Sequence, residues 1–347
     1  MIDSRTYLCQ RRLHVDVRAI YGHTMGTIAW IGVWIMKRAW KGYWVASPTP
    51  FFENGQIDEN GLTDLMELYV SQGVHGIVVN GSTGEWCSQS TEERIHIAHL
   101  AVSQVGNRVP VIVGISTYTP EQSLELARSA LTSGADGVML TPPPYYHLRD
   151  DEIFDFYNYI NSHISLPIMV YNWPRGVVTD MSEDLMVSLA RLTNVQGIKE
   201  SSGDETKTYR VFERLKREES PVSFFARFIH PTGMKFLTDV GGDGNIDGGG
   251  LGVGFAVGFY EAFWRGQSDE MKKFSDSYTR LSQQLITSDY SGIYASPISQ
   301  LKASMRILQQ PGGYVRPPLR ELRDAERLEE ISGILRVAGL SDPVAKI

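Results

Sequence analysis

The sequence predicts an α/β fold: a (β/α)8 TIM barrel followed by a C-terminal helical appendage. Three observations carry this. From Trp44 onward, short apolar runs alternate with longer amphipathic ones, the pattern of parallel strands joined by helical crossovers. Eight such units fit in the chain of 347 residues, a count that favours a closed barrel over an open doubly wound sheet. Beyond Gly266 the pattern turns purely helical, which reads as an appendage of the kind used in oligomerisation.

The expected strands cover residues 43–47, 76–80, 109–115, 137–141, 166–171, 195–199, 222–226 and 244–247. Helical patterns lie between them, the clearest at 59–72, 91–105, 120–133 and 150–162. Their ends are signposted. Thr119 can cap a helix whose first residue is Pro120, with Gln122 placed to close a capping box, and Ser90 with Glu93 makes a second box. Gly73 and Gly134 stand where a left-handed residue ends a helix. The chain therefore divides into an extension at 1–39, a barrel at 40–265 and a helical region at 266–347.

With 42% hydrophobic and 21% charged residues, the composition is that of an ordinary enzyme. A formal net charge of −7 argues against a nucleic-acid partner, which normally leaves a basic patch. Small acidic substrates stay open, because a few local cations suffice for them. The two cysteines, Cys9 and Cys87, make neither a disulfide framework nor a zinc spacing, so a reducing cytoplasm is expected. The extension is basic and holds an apolar run at 24–36. That run is shorter than the roughly 20 residues a membrane span needs, and no small-residue cleavage site follows it. It reads as an extension outside the catalytic fold, with Met36 as an alternative start, and no membrane partner is expected.

In such barrels the chemistry sits at the carboxyl ends of the strands. Thr49-Pro50-Phe51 follows the first strand and Gly81-Ser82-Thr83-Gly84-Glu85 the second. Tyr145 and Tyr146 follow the fourth, Tyr171-Asn172 ends the fifth and Lys199 the sixth. Arg227 and His230 come after the seventh, and a glycine-rich run containing Gly248 surrounds the eighth. Hydroxyls, phenols and one lysine converge on one mouth; no metal-binding set does, and neither metal nor cofactor is expected. Burial at a strand end would disfavour the ammonium of Lys199 and free its amine for attack. The competing reading is a lysine that snorkels to solvent. Tyr171, one strand earlier at the same height, could move protons for that amine; otherwise it is a core tyrosine. Ser82 and Thr83 could hold a carboxylate with hydroxyl and N–H groups, or simply form an ordinary turn.

These motifs, together with Pro144-Tyr145-Tyr146, Tyr171-Asn172-Trp173-Pro174, Gly197-Ile198-Lys199-Glu200-Ser201-Ser202-Gly203-Asp204 and Arg316-Pro317-Pro318-Leu319, resemble the dihydrodipicolinate synthase and N-acetylneuraminate lyase superfamily of class I, pyruvate-dependent aldolases. The resemblance runs from about Lys41 to Leu340. It implies a Schiff base on Lys199, a proton shuttle at Tyr171, and carboxylate binding and proton relay by Ser82 and Thr83. It further implies that Tyr145, with Tyr146 as the alternative, completes the relay of a neighbouring subunit in a homodimer or homotetramer. Thr49, Arg175, Arg227 and Gly248 complete the expected substrate contacts.

Two departures point to a divergent member acting on pyruvate or another 2-keto acid, with an aldehyde as the second partner. Dihydrodipicolinate synthases place an arginine where this chain has Gly176, with Arg175 one residue early. Sialic acid lyases carry a Gly-Tyr-Asp-Glu-like stretch where this chain has Ala226-Arg227-Phe228-Ile229-His230. Arg175, Arg227, His230 or Trp173 would then set the distal specificity. The rivals are a 2-keto-3-deoxy sugar acid dehydratase using the same lysine, dihydrodipicolinate synthase itself, a phosphate-binding barrel using the run from Gly248 to Gly254, and a keto-acid binder without turnover. A metal-dependent aldolase using Glu92, Glu93, His96 and His99 is set aside, because that helix would face solvent on the outside of the barrel.

Overall fold

The computed structural model describes residues 40–340. The extension with its apolar run, and Cys9, lie outside them. The described chain runs β1 (Gly42–Ala46), α1 (Glu59–Ser71), β2 (Gly76–Val79), α2 (Thr91–Val105), β3 (Val111–Gly114), α3 (Pro120–Ser133), β4 (Gly137–Leu140) and α4 (Asp150–His163). It continues through β5 (Ile168–Asn172), α5 (Pro174–Val177), α6 (Glu183–Leu189), β6 (Val195–Glu200), α7 (Glu205–Arg217), β7 (Ser223–Phe225), α8 (Pro231–Asp239), β8 (Gly244–Gly248) and α9 (Val253–Trp264). Three helices follow: α10 (Ser268–Leu285), α11 (Pro297–Ile307) and α12 (Ala325–Val337).

The eight strands close into one barrel in sequence order, all pairs parallel, with β8 returning to β1 from Gly42↔Gly244 to Ala46↔Gly248. The expected fold class is the observed one. Strand β3 is shorter than expected because Pro110 has no N–H; it only accepts, from Ile77 N at 2.9 Å, and pairing starts at Val111. The helix ends follow the sequence signals. Ser90 and Glu93 form both halves of a capping box on α2. Thr119 makes the forward half on α3, accepting from Gln122 N. Gly73 and Gly134 both sit at positive φ, 76° and 84°.

The amino-terminal end of the barrel is plugged by tryptophan. Trp40 and Trp44 meet edge-on with ring centroids 5.8 Å apart, and Trp44 meets Phe225 in the same way at 5.5 Å. Ile112, Met139, Met169 and Ile246 fill the barrel above them. Glycines on the neighbouring strands make room: a Cβ on Gly76 would stand 2.2 Å from the Trp44 ring, and one on Gly197 3.0 Å from Trp40. The bottom is therefore closed by packing, and the opposite end is left for chemistry. Helices α10 to α12 form their own apolar cluster from Leu281, Leu285, Ala303, Ile331 and Leu335. Among the described residues no helix is long and apolar enough to cross a membrane.

Candidate active site

Strand register sets the centre of the site. Tyr171 on β5 pairs directly with Lys199 on β6, and both side chains point into the barrel, 5% and 8% exposed. The Lys199 Nζ lies 4.0 Å from the centroid of the Tyr171 ring. Burial pushes the Lys199 ammonium down to about 8, opposed by the carboxylate of Asp247. Burial likewise raises the Tyr171 phenol above its ordinary range, against the nearby Ser82 and Ser201 hydroxyls. At neutral pH the pair is thus a readily neutralised amine beside a phenol that keeps its proton.

The next residue on each strand faces outward and fastens the pair. Asn172 Nδ2 donates to Glu200 Oε2 and to Asp180 Oδ1, both at 2.8 Å. Glu200 Oε1 accepts from Ser202 N at 2.6 Å, and Ser201 N donates to Asn172 O at 3.0 Å. Lys207 closes the network on Asp180. Asn172 and Glu200 both stand in the sequence motifs, yet nothing local in the sequence announces this role.

The turn after β2 is wound tightly. Gly84 N donates to Gly81 O at 3.0 Å and Glu85 N to Ser82 O at 3.1 Å. Glu85 sits at φ 59°, left-handed and uncommon for a residue with a side chain. This winding leaves the Ser82 and Thr83 N–H groups without a protein acceptor among the described residues. Successive free N–H groups of this kind form an anion-binding concavity. Gly248 lies against the turn, where a Cβ would come 2.9 Å from Thr83 Oγ1. Thr49, among the expected substrate contacts, is tied to the turn. Its hydroxyl donates to Gly84 O at 2.9 Å and accepts from Gln89 Nε2 at 3.1 Å, and so braces the turn.

Farther out, Trp173 stacks on Tyr171 at 6.2 Å and meets Tyr290 edge-on at 5.7 Å. Tyr290 comes from the segment between α10 and α11, which the sequence reading did not connect with the site. The guanidiniums of Arg175 and Arg227 lie 4.4 Å and 5.7 Å from its ring centroid. Neither arginine has a carboxylate within ion-pair distance among the described residues. Arg175 donates to Ser201 O at 3.2 Å. A side chain at 176 has no room, since its Cβ would stand 2.3 Å from the Trp173 indole. His230 is committed elsewhere: it accepts from Gly233 N at 3.4 Å as the cap of α8, and its Nε2 lies 2.8 Å from Arg227 O.

Tyr145 is 77% exposed, at φ 94°, with Tyr146 edge-on at 5.2 Å. Among the described residues it has no partner in the centre of the site. Asp247 was missed because it occupies an outward strand position, where it accepts from the Tyr278 hydroxyl at 2.7 Å. Among the described residues no group of His, Cys, Asp and Glu could hold a metal ion, and His96 is engaged at the surface with Glu59 at 2.8 Å.

Comparison with known proteins identifies the family. The Dihydrodipicolinate synthetase family matches residues 39–336. A DapA-like lyase of Rhizobium meliloti is 32% identical over 82% of this chain and 91% of its own. A 4-hydroxy-tetrahydrodipicolinate synthase of Methanoculleus marisnigri is also 32% identical, over 83% and 95%. The structure of the dihydrodipicolinate synthase of Acinetobacter baumannii in complex with pyruvate superposes with a TM-score of 0.78 at 24% identity, covering 86% of this chain and 99% of that one.

Proposed function

The chain belongs to the dihydrodipicolinate synthetase family, and from that premise we propose that it is a lyase forming a Schiff base between Lys199 and pyruvate or a related 2-keto acid. One observation carries the assignment: a buried lysine with its ammonium lowered to about 8, directly paired in register with a buried tyrosine. A relative in complex with pyruvate supports the choice of keto acid.

In this reading the Ser82 and Thr83 N–H groups take the carboxylate and fix the ketone carbon over Lys199. The neutral amine attacks that carbon. Tyr171 donates a proton to the departing hydroxyl, water leaves, and the protonated imine remains. Loss of a proton or of a C4 fragment from C3 then gives the enamine, because the iminium accepts the electron pair. Addition of the enamine to an aldehyde is the reverse of the cleavage. Tyr171 recovers its proton through Ser82 or Thr83, with Tyr145 of a second copy extending the relay. Exposure of Tyr145 and Tyr146 supports a homodimer or homotetramer, and the cysteine usage supports a cytoplasmic location.

The two arginines around Tyr290 favour an acceptor carrying an anionic group, as dihydrodipicolinate synthesis would need. The sugar-acid dehydratase reading uses the same lysine and differs in the bond broken. The test needs no acceptor: proton NMR of pyruvate in heavy water with the enzyme. Loss of the methyl signal, dependent on Lys199, is expected from enamine formation; unchanged C3 proton signals with pyruvate and with other 2-keto acids at high enzyme concentration refute the assignment.

A further inference from the structure

A second lysine is buried more deeply than Lys199. Lys302, on α11 of the C-terminal region, is fully enclosed, with three oxygens around its ammonium. It donates to Thr49 O at 2.7 Å and to Tyr314 O at 2.6 Å. Its third contact is Glu85 Oε1 at 2.6 Å, off the hydrogen-bond axis and so chiefly Coulombic. The other Glu85 oxygen accepts from Arg316 N at 3.0 Å, and the Phe51 ring covers the ammonium at 4.6 Å. Burial pushes the Lys302 ammonium down, while Glu85 opposes the shift.

The geometry ties this pair to the site. Glu85 closes the turn that bares the Ser82 and Thr83 N–H groups, and it does so in a left-handed conformation that only the surrounding contacts hold. Lys302 grips that turn twice. It acts through the Glu85 carboxylate and through the backbone of Thr49, whose hydroxyl in turn binds Gly84 O. A buried ion pair is a poor source of net stability, yet loss of one partner strands the other's charge. Here the stranded charge would be Glu85, itself buried within the turn.

We propose that Lys302 is a positioning residue for keto-acid binding: through Glu85 and Thr49 it holds the Ser82–Thr83 turn in the form that receives the substrate carboxylate. The inference rests on the Schiff-base reading, and wild-type exchange activity tests that reading separately. The appended helices thus contribute to the site in their own subunit, apart from any part in assembly.

The experiment uses the full chain with pyruvate as probe. Methyl exchange gives kcat and KM, borohydride trapping against pyruvate concentration gives an apparent Kd, and thermal unfolding monitors the fold. Lys302→Met is expected to raise KM and Kd about tenfold or more, the order of one lost carboxylate contact. The kcat should fall by a smaller factor than KM rises, because the turn carries the proton relay as well as the carboxylate contact. The pH midpoint of exchange, which belongs to Lys199, should not move. Lys302→Met with Glu85→Gln removes both charges and carries the test if the single variant does not fold. Its KM should stay raised, because the turn is no longer held. A folded variant of either kind with KM and Kd within about twofold of wild type overturns the proposal. So does a loss of kcat at unchanged KM that merely follows the folded fraction.

Discussion

Replacing Lys199 by methionine should remove activity and make the protein more stable. The structure buries this amine, 8% exposed, in the mouth of the barrel and lowers its ammonium from 10.5 to about 8. At about 1.36 kcal/mol per unit, holding the charged form there costs roughly 3 kcal/mol at neutral pH. Methionine keeps the aliphatic stem and has nothing to ionise, so most of that cost should be recovered. The sign is fixed by linkage. Between about 8 and 10.5 the unfolded chain holds a proton that the folded chain has released, so wild-type stability rises with pH across this window. The advantage of Lys199→Met is therefore full below about 8 and vanishes above 10.5. Denaturant unfolding of both proteins at pH 7 and at several points up to pH 10.5 reads it directly. A variant no more stable than wild type, or a difference that does not narrow as pH rises, would refute the burial argument for the nucleophile.

Other outcomes follow from the same geometry. Exchange of the pyruvate methyl protons should rise with pH through about 8 as Lys199 loses its proton, and a profile flat from pH 6 to 9 would contradict this. Tyr171→Phe should slow exchange by about 10²–10⁴ while Lys199 still labels, since acid–base help is removed and the amine is not. Arg227→Ala should weaken use of a carboxylate-bearing aldehyde by about tenfold or more and leave a neutral aldehyde of similar size unaffected. Equal losses on both acceptors would remove the anionic subsite. Gly76→Ala should destabilise the barrel by about 2 kcal/mol or more in denaturant unfolding, because the new methyl meets the Trp44 ring at 2.2 Å.

The barrel was legible because period-2 and period-3.6 patterns alternate cleanly and the caps are local signals. Lys199, Tyr171, Ser82 and Thr83 were legible because strand ends are where such barrels do their chemistry. What escaped the sequence was set by contacts between distant segments. Lys302 lies in a helical stretch whose pattern only says that one face is buried, and nothing local announces Glu85 as its partner. Tyr290 reaches the mouth from a loop beyond the barrel, so no count of strand ends includes it. The bracing contacts of Thr49 were not legible either, because a hydroxyl that braces a turn and one that binds a ligand look alike in sequence.

The most direct test of the central claim is mass spectrometry of the full chain after incubation with pyruvate and borohydride. One reduced pyruvate adduct mapped to the peptide containing Lys199 is the predicted result. No adduct with pyruvate or other 2-keto acids, under conditions in which a known family enzyme labels, would contradict it. An adduct on Lys302 or on a surface lysine, with Lys199 unmodified, would contradict it equally.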